Sequence, residues 1–330
     1  MGKSLIIETG IKTIFILNES GLPIIVKNYS ESHRNNLSFS VLLNTLNIFS
    51  RTMLDSYLFD FSFDNQRVFI KYNSGLLYCI IVEKKVLHHF NYIGLREFIE
   101  ITTWRLITEI NKKYIPQTPS FRGFCTNEIQ NISYKVDDLL SEGIRDWMRV
   151  SSPFKKLEYH PKPGNLRPEF PITTQKDLLE EFGIQGFLFV DKYGNPIISN
   201  IYEQNAVTKD QKTMLSLINA VDTFNSHKEL SNLTDIGIMA QRIFYKSYGS
   251  KKVIIAVDDI RYLPYTMMAI RIFVHTLLDK LLVAFDFIQD QLEQFSYYDI
   301  DDYSEMFVSA ADQIILESCV KNHFVPKLKT

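Results

Sequence analysis

The sequence predicts an α+β protein made of two copies of one structural unit with the element order ββ-α-βββ-αα. Residues 67–72 and 78–83 recur as residues 242–247 and 253–258, at a constant offset of 175. Alternating apolar residues typical of strands, and apolar stripes at helical spacing, follow one another in the same order in both halves. Two copies at so long a period exclude a solenoid and favour a duplicated domain.

Composition is that of a soluble globular protein. The 330 residues are 45% hydrophobic and 22% charged, which suits about two domains. The net charge of −2 gives no strongly basic face for nucleic acid. Cys79, Cys125 and Cys319 are too few for a disulfide framework or a metal site. We find no signal peptide or membrane-spanning run and expect a cytoplasmic protein.

The first unit opens with a predicted hairpin and a helix. Residues 11–17 form a strand, Gly21 supplies the positive φ of the turn, and Pro23 begins the returning strand. Ser38 is the predicted N-cap of the helix. The apolar stripe of this helix is predicted to comprise Val41, Leu42, Leu46, Phe49 and Met53.

Three strands and two helices complete this unit. Residues 57–64 alternate between an aromatic face that we expect to be buried and a mostly wet face that holds Asp60 and Ser62. The next strands, 67–72 and 77–83, are joined by Asn73-Ser74-Gly75, a hairpin signal. Helices are predicted over 94–111 and 128–148.

A proline-rich segment separates the two copies. Five prolines between residues 151 and 172 exclude a helix or a central strand. Lysines and arginine among them predict a basic, extended spacer. We therefore predict a first domain over 1–150, a linker over 151–172 and a second domain over 173–330.

The second copy repeats the first element by element. A short helix over 175–182 precedes residues 187–198, which match residues 14–25 at an offset of 173. A two-residue insertion then moves the offset to 175. Asp60 falls on Asp235, and the long helix and the closing helix recur.

The element order and several segments resemble longin-like (SNARE-like) domains. Residues 14–23 are similar to the longin opening hairpin, residues 71–82 to the paired central strands of adaptor-complex sigma and mu-type subunits, and residues 128–148 to their closing helix. The resemblance implies that each repeat is a five-stranded antiparallel sheet with one helix on one face and two on the other. Residues 178–183 also resemble the helix that precedes the first strand in roadblock domains, whereas the terminal pair of helices favours a longin domain in both units.

Motifs for chemistry are weak. His88 and His89 are adjacent and would point to opposite sides of a strand, so a solvated turn is favoured over a metal-ligand pair. Asp258-Asp259 is interpreted as an exposed strand end rather than a Mg²⁺ site. Residues 297–303 form either a docking loop for a basic partner or a cover for a neighbouring helix. There is no phosphate-binding or dinucleotide-binding glycine motif and no catalytic triad. We therefore predict no catalytic, metal or cofactor-binding residues.

The resemblance implies a non-enzymatic scaffold in vesicle trafficking. Such a scaffold would bind a small Ras-like GTPase or other longin or roadblock proteins, and would act at most as a guanine-nucleotide exchange platform together with partners. It would be cytoplasmic, peripheral to membranes through its partners, without nucleic acid, and its repeats would pair within the chain or as a homodimer. The alternatives are a structural subunit of a coat-like or tethering assembly and a small-ligand-binding protein.

The predicted partner surface combines the two opening turns with two arginines. It comprises Asn18, Gly21, Arg67, Asp191, Gly194 and Arg242. The arginines occupy equivalent strand positions in the two copies. They either lie over aromatic neighbours as structural residues or mark a sheet edge that a partner uses.

Overall fold

The protein is an α+β chain with antiparallel strands, as seen in a computed structural model. The structure describes residues 2–30, 36–53, 57–63, 65–87, 92–114, 126–151, 179, 183–190, 196–202, 212, 215–216, 218, 233–238, 241–248, 251–258, 267–294 and 300–321. The chain divides into two compact units. Unit 1 is Met1–Leu157 with Val221–Leu233, and unit 2 is Glu158–Ala220 with Thr234–Thr330. Apart from Ser151, the predicted linker lies outside the described residues.

Unit 1 contains five described strands and their helices. In chain order they are α1 (Gly2–Glu8), β1 (Ile11–Leu17), β2 (Pro23–Asn28), α2 (Asn36–Met53), β3 (Leu58–Phe63), β4 (Gln66–Asn73), β5 (Leu76–Glu83), α3 (Lys84–Leu87), α4 (Tyr92–Tyr114) and α5 (Thr126–Ser151). The strands pair in the order β2-β1-β5-β4-β3. Ser74 (φ 49°) and Gly75 (φ 79°) both have positive φ between β4 and β5, as in a type I′ turn. The predicted hairpin is confirmed.

The two long helices of unit 1 pack closely against each other. A Cβ atom on Gly143 of α5 would lie 2.3 Å from the carbonyl oxygen of Thr102 in α4. Only glycine allows this approach. The ring of Trp147 on α5 meets Phe98 of α4 edge-on, with centroids 5.0 Å apart. The inner faces of both helices are buried at Phe98, Ile99, Thr102, Leu106, Ile110, Ile132, Val136, Leu140 and Ile144.

Unit 2 contains the equivalent strands. Its elements are β6 (Ile184–Val190), β7 (Pro196–Ile201), β8 (Leu233–Ile238), β9 (Gln241–Tyr248), β10 (Lys251–Asp258), α6 (Met267–Gln294) and α7 (Ile300–Lys321). The strands pair in the order β8-β9-β10-β6-β7. This is the order of unit 1 read from its other end.

Strand register repeats between the units. Asp60 pairs with Phe69 as Asp235 pairs with Phe244, 175 residues later. The pairing of the first strand shifts at the same place, between Ile16 and Leu17 in β1 and at the corresponding residues of β6. Gly10 and Gly183 each have positive φ, and each accepts a backbone hydrogen bond from the last residue of the strand beside it. The internal repeat read from the sequence therefore extends to the hydrogen-bond pattern.

Unit 1 begins with a helix that the sequence reasoning missed. Helix α1 precedes β1 and packs against α5, and its Ile6 is fully buried. Leu179, at the equivalent position of the second copy, is helical and also fully buried. A helix before the first strand therefore does not distinguish one unit from the other.

Strand β3 is buried on both faces, which corrects the prediction of a wet face. Leu58, Asp60 and Ser62 are buried, as are Phe61 and Phe63 on the other face. Of the aromatic residues expected to be buried, Phe59 is half-buried and Tyr57, just before the strand, is 58% exposed. Alternation of polar and apolar residues predicts a solvated face only where polar groups have no partner inside the protein. Asp60 has such a partner in Arg67.

The middle strands form the centre of each unit's core. Every residue from Leu76 to Val82 in β5 and from Val253 to Val257 in β10 is buried. Continuous apolar runs of this kind occur where both faces of a sheet are covered. Cys79, within β5, is a buried core residue. Among the helices that the structure describes, none is long and apolar enough to cross a membrane.

Candidate functional site

Two of the predicted site residues, Asn18 and Gly21, shape the β1–β2 turn. The Asn18 side-chain oxygen accepts the N–H of Leu22 at 2.9 Å, and the Asn18 N–H donates to the Leu22 carbonyl at 3.0 Å. Gly21 has φ +77°, and a Cβ atom there would lie 2.5 Å from the Cβ of Asn44 in α2. The turn thus packs directly on α2. Asp191 and Gly194, in the second copy, lie outside the described residues.

The other two predicted residues, Arg67 and Arg242, are buried in ion pairs. The Arg67 guanidinium lies 2.5 Å from an Asp60 oxygen, and the Arg242 guanidinium lies 2.7 Å from an Asp235 oxygen. The arginine side chains are 3% and 0% exposed, and both aspartates are 0% exposed. Side chains as buried as these do not lie on a surface that a partner could contact. The burial supports the structural interpretation of the repeated arginines, because a buried charge requires a partner inside the protein.

The outer face of α2, beside the turn, carries an exposed row without charge from Val41 to Ile48. Val41 and Ile48 are 48% and 46% exposed, and Thr45 and Thr52 are exposed in the same row, one or two turns apart. Leu22, at the turn, is 56% exposed. We call Leu22, Val41, Thr45, Ile48 and Thr52 the α2–turn surface. Exposed apolar patches of this kind mark interaction sites.

The threonine hydroxyls add little polarity to this surface. Thr45 Oγ1 donates to the Val41 carbonyl at 2.9 Å, and Thr52 Oγ1 donates to the Ile48 carbonyl at 2.8 Å. Since each hydroxyl proton is used within the helix, a partner can cover the threonines without leaving an unpaired donor.

The one charged residue of α2 lies near its end. Arg51 is the only charged residue among the 18 of α2, and its guanidinium lies 4.3 Å from the centre of the Tyr72 ring. The Tyr72 hydroxyl donates to Glu19 at 3.1 Å. This arrangement ties Arg51 to β4, and the row from Val41 to Ile48 has no charge of its own.

The second copy lacks the apolar residues of the α2–turn surface. At the offsets of the repeat, Leu22 falls on Asn195, Val41 on Ser216 and Ile48 on Thr223. Ser216 is described and exposed, and its hydroxyl donates to the Lys212 carbonyl at 2.8 Å. The two copies therefore share core residues but differ at the positions of the α2–turn surface. The exposed apolar face belongs to unit 1.

Sequence reasoning missed this surface because it assigned Val41 to the buried stripe of the helix. Of the predicted stripe, Leu42 and Leu46 are buried, and Phe39 and Leu43 are buried beside them. Small polar residues lie on the buried side of α2 as well, at Ser40, Asn47 and Ser50, so the pattern of polar and apolar residues does not define a unique inner face. Two signals were available, namely the near absence of charge between residues 36 and 53 and the polar replacements in the second copy.

The strongly perturbed tyrosines belong to structural contacts. Tyr29 donates to Asp137 at 2.7 Å, and Tyr202 donates to Asp312 at the equivalent place. Burial, with a smaller contribution from the neighbouring carboxylate, raises the pKa of both phenols above the ordinary tyrosine value. Each pair joins the end of an edge strand to the last helix of its unit.

The described residues give no further support to the weaker candidates for chemistry. No group of His, Cys, Asp or Glu among them is arranged to hold a metal ion. His88, His89, Asp259 and residues 295–299 lie outside the described part of the chain, and Asp258 is half-buried at the end of β10. That the chain is not an enzyme stays a prediction.

Neither the family models nor the curated proteins compared with this sequence give a match. The likeness to longin and roadblock domains therefore stays a resemblance in sequence patterns and element order.

Proposed function

We propose that this chain is a non-enzymatic scaffold whose first unit binds a small Ras-like GTPase through the α2–turn surface. The observation that carries the proposal is the exposed, uncharged row of Val41, Thr45 and Ile48. The second copy has Ser216 at the position of Val41 and Thr223 at the position of Ile48. Folded proteins expose large contiguous apolar patches mainly where another molecule binds. The GTPase class comes from the longin resemblance.

We also infer that the two units are two longin-like repeats. Five strands paired in one order, helices before and after them, and matching register support this reading. Fold likeness alone does not assign a function. The contrast between the copies supports the proposal because the exposed apolar residues of this surface occur in one copy and not in the other.

Binding of purified GTPases to the full chain tests the proposal. A panel of small Ras-like GTPases, each loaded with GDP or a GTP analogue, would be measured by biolayer interferometry. We expect at least one member to bind with a preference for one nucleotide state. The triple variant Leu22→Asn, Val41→Ser, Ile48→Thr should lower its affinity about tenfold or more, because it removes the apolar area.

The triple variant carries the residues of the second copy, so the repeat itself indicates that this fold accepts them. A matched control is Ile272→Ser, which removes a residue that is 56% exposed on unit 2. This control should leave GTPase affinity unchanged. A panel with no binder in either nucleotide state, or equal loss in both variants, would contradict the proposal. Capture of large coat or tether subunits, lost in the triple variant, would instead support the assembly alternative.

A further inference from the structure

We draw no further inference here: the strongest candidate, the open groove between α6 and α7 of unit 2, is lined by the exposed Val283 together with both Lys280 and Glu317, and nothing in the structure shows what covers it.

Discussion

At the scale of single residues, the most informative contacts are the two buried Asp–Arg pairs. Each joins neighbouring strands, β3 to β4 in unit 1 and β8 to β9 in unit 2. A buried ion pair adds little net stability, but the loss of one partner leaves an uncompensated charge inside the protein. Both copies therefore need both residues of the pair, and this explains why Asp60 and Arg67 recur at one offset.

The first prediction concerns Arg67→Met. It leaves the Asp60 carboxylate buried without its guanidinium, and we expect unit 1 to lose about 3–5 kcal/mol of unfolding free energy. Urea unfolding would measure the loss. Adding Asp60→Leu should restore most of it, because the charge is then gone. Arg149→Met, at a side chain 78% exposed, is the control and should change stability by less than about 1 kcal/mol. Failure of the double variant to recover would contradict this account.

The two Tyr–Asp contacts differ in one neighbouring residue. In unit 1, Lys27 lies 3.6 Å from Asp137, whereas its equivalent in unit 2 is Asn200, an amide 3.3 Å from Asp312. Burial raises the pKa of Asp312 above its ordinary value, against the opposing effect of the Tyr202 and Asn200 hydrogen bonds. The second copy thus holds a partly buried carboxylate without a lysine at this position.

A second prediction follows for pH dependence. The pKa of Asp312 is raised in the folded state, so protonation of this carboxyl stabilises the folded protein at low pH. This stabilisation is lost as the pH rises through the folded-state pKa. Asn200→Lys should place an ammonium beside the carboxylate, lower its pKa and stabilise unit 2 at pH 7 by about 0.5 kcal/mol. The gain should vanish near pH 3. Unfolding measured at both pH values checks this, and an equal gain at both would contradict it.

At the scale of elements, helix spacing depends on single small residues. Gly143 allows contact between α4 and α5, and Ser318 stands at the same place in the more open pair α6 and α7. Helix propensity alone makes a glycine inside a helix about 1 kcal/mol less favourable than an alanine. The presence of Gly143 inside α5 therefore reflects packing against Thr102 and not helix formation.

The third prediction is that Gly143→Ser destabilises unit 1. The new Cβ would overlap the Thr102 carbonyl, so the helices must move apart, and we expect a loss of about 1–3 kcal/mol. Hydrogen exchange of α4 and α5 amides, together with urea unfolding, would report it. Tyr134→Ala, at a side chain 77% exposed on the same helix, should change stability by less than about 0.5 kcal/mol. A stabilised Gly143→Ser protein would show that propensity outweighs the contact.

Elements with local signals were predictable from sequence. The β4–β5 hairpin was found because Asn73-Ser74-Gly75 accepts positive φ, and β1 was found with its observed bounds. Helix α1 was missed because Gly2–Glu8 is too short to show helical periodicity. The polar side of β3 was misjudged because Asp60 meets its partner only after β3 and β4 pair.

At the scale of the whole molecule, the duplication shows which residues of the candidate site could be predicted from the sequence. Some repeated residues mark contacts that both copies need in the core, such as Arg67 with Asp60. Interaction surfaces are better sought where the copies differ. Val41 against Ser216 is such a position. Recognising it required knowing which side of the helix is exposed, and that depends on packing.

The edge-on contact of Trp147 with Phe98 has a spectroscopic consequence. The chain has two tryptophans, Trp104 and Trp147, and both lie in unit 1. Trp104 is 63% exposed, so its surroundings change little on unfolding, whereas Trp147 leaves the Phe98 ring. Emission excited selectively at tryptophan therefore follows the melting of unit 1, and far-ultraviolet circular dichroism follows both units. Tryptophan fluorescence, compared with circular dichroism, thus distinguishes unfolding of unit 1 from unfolding of unit 2.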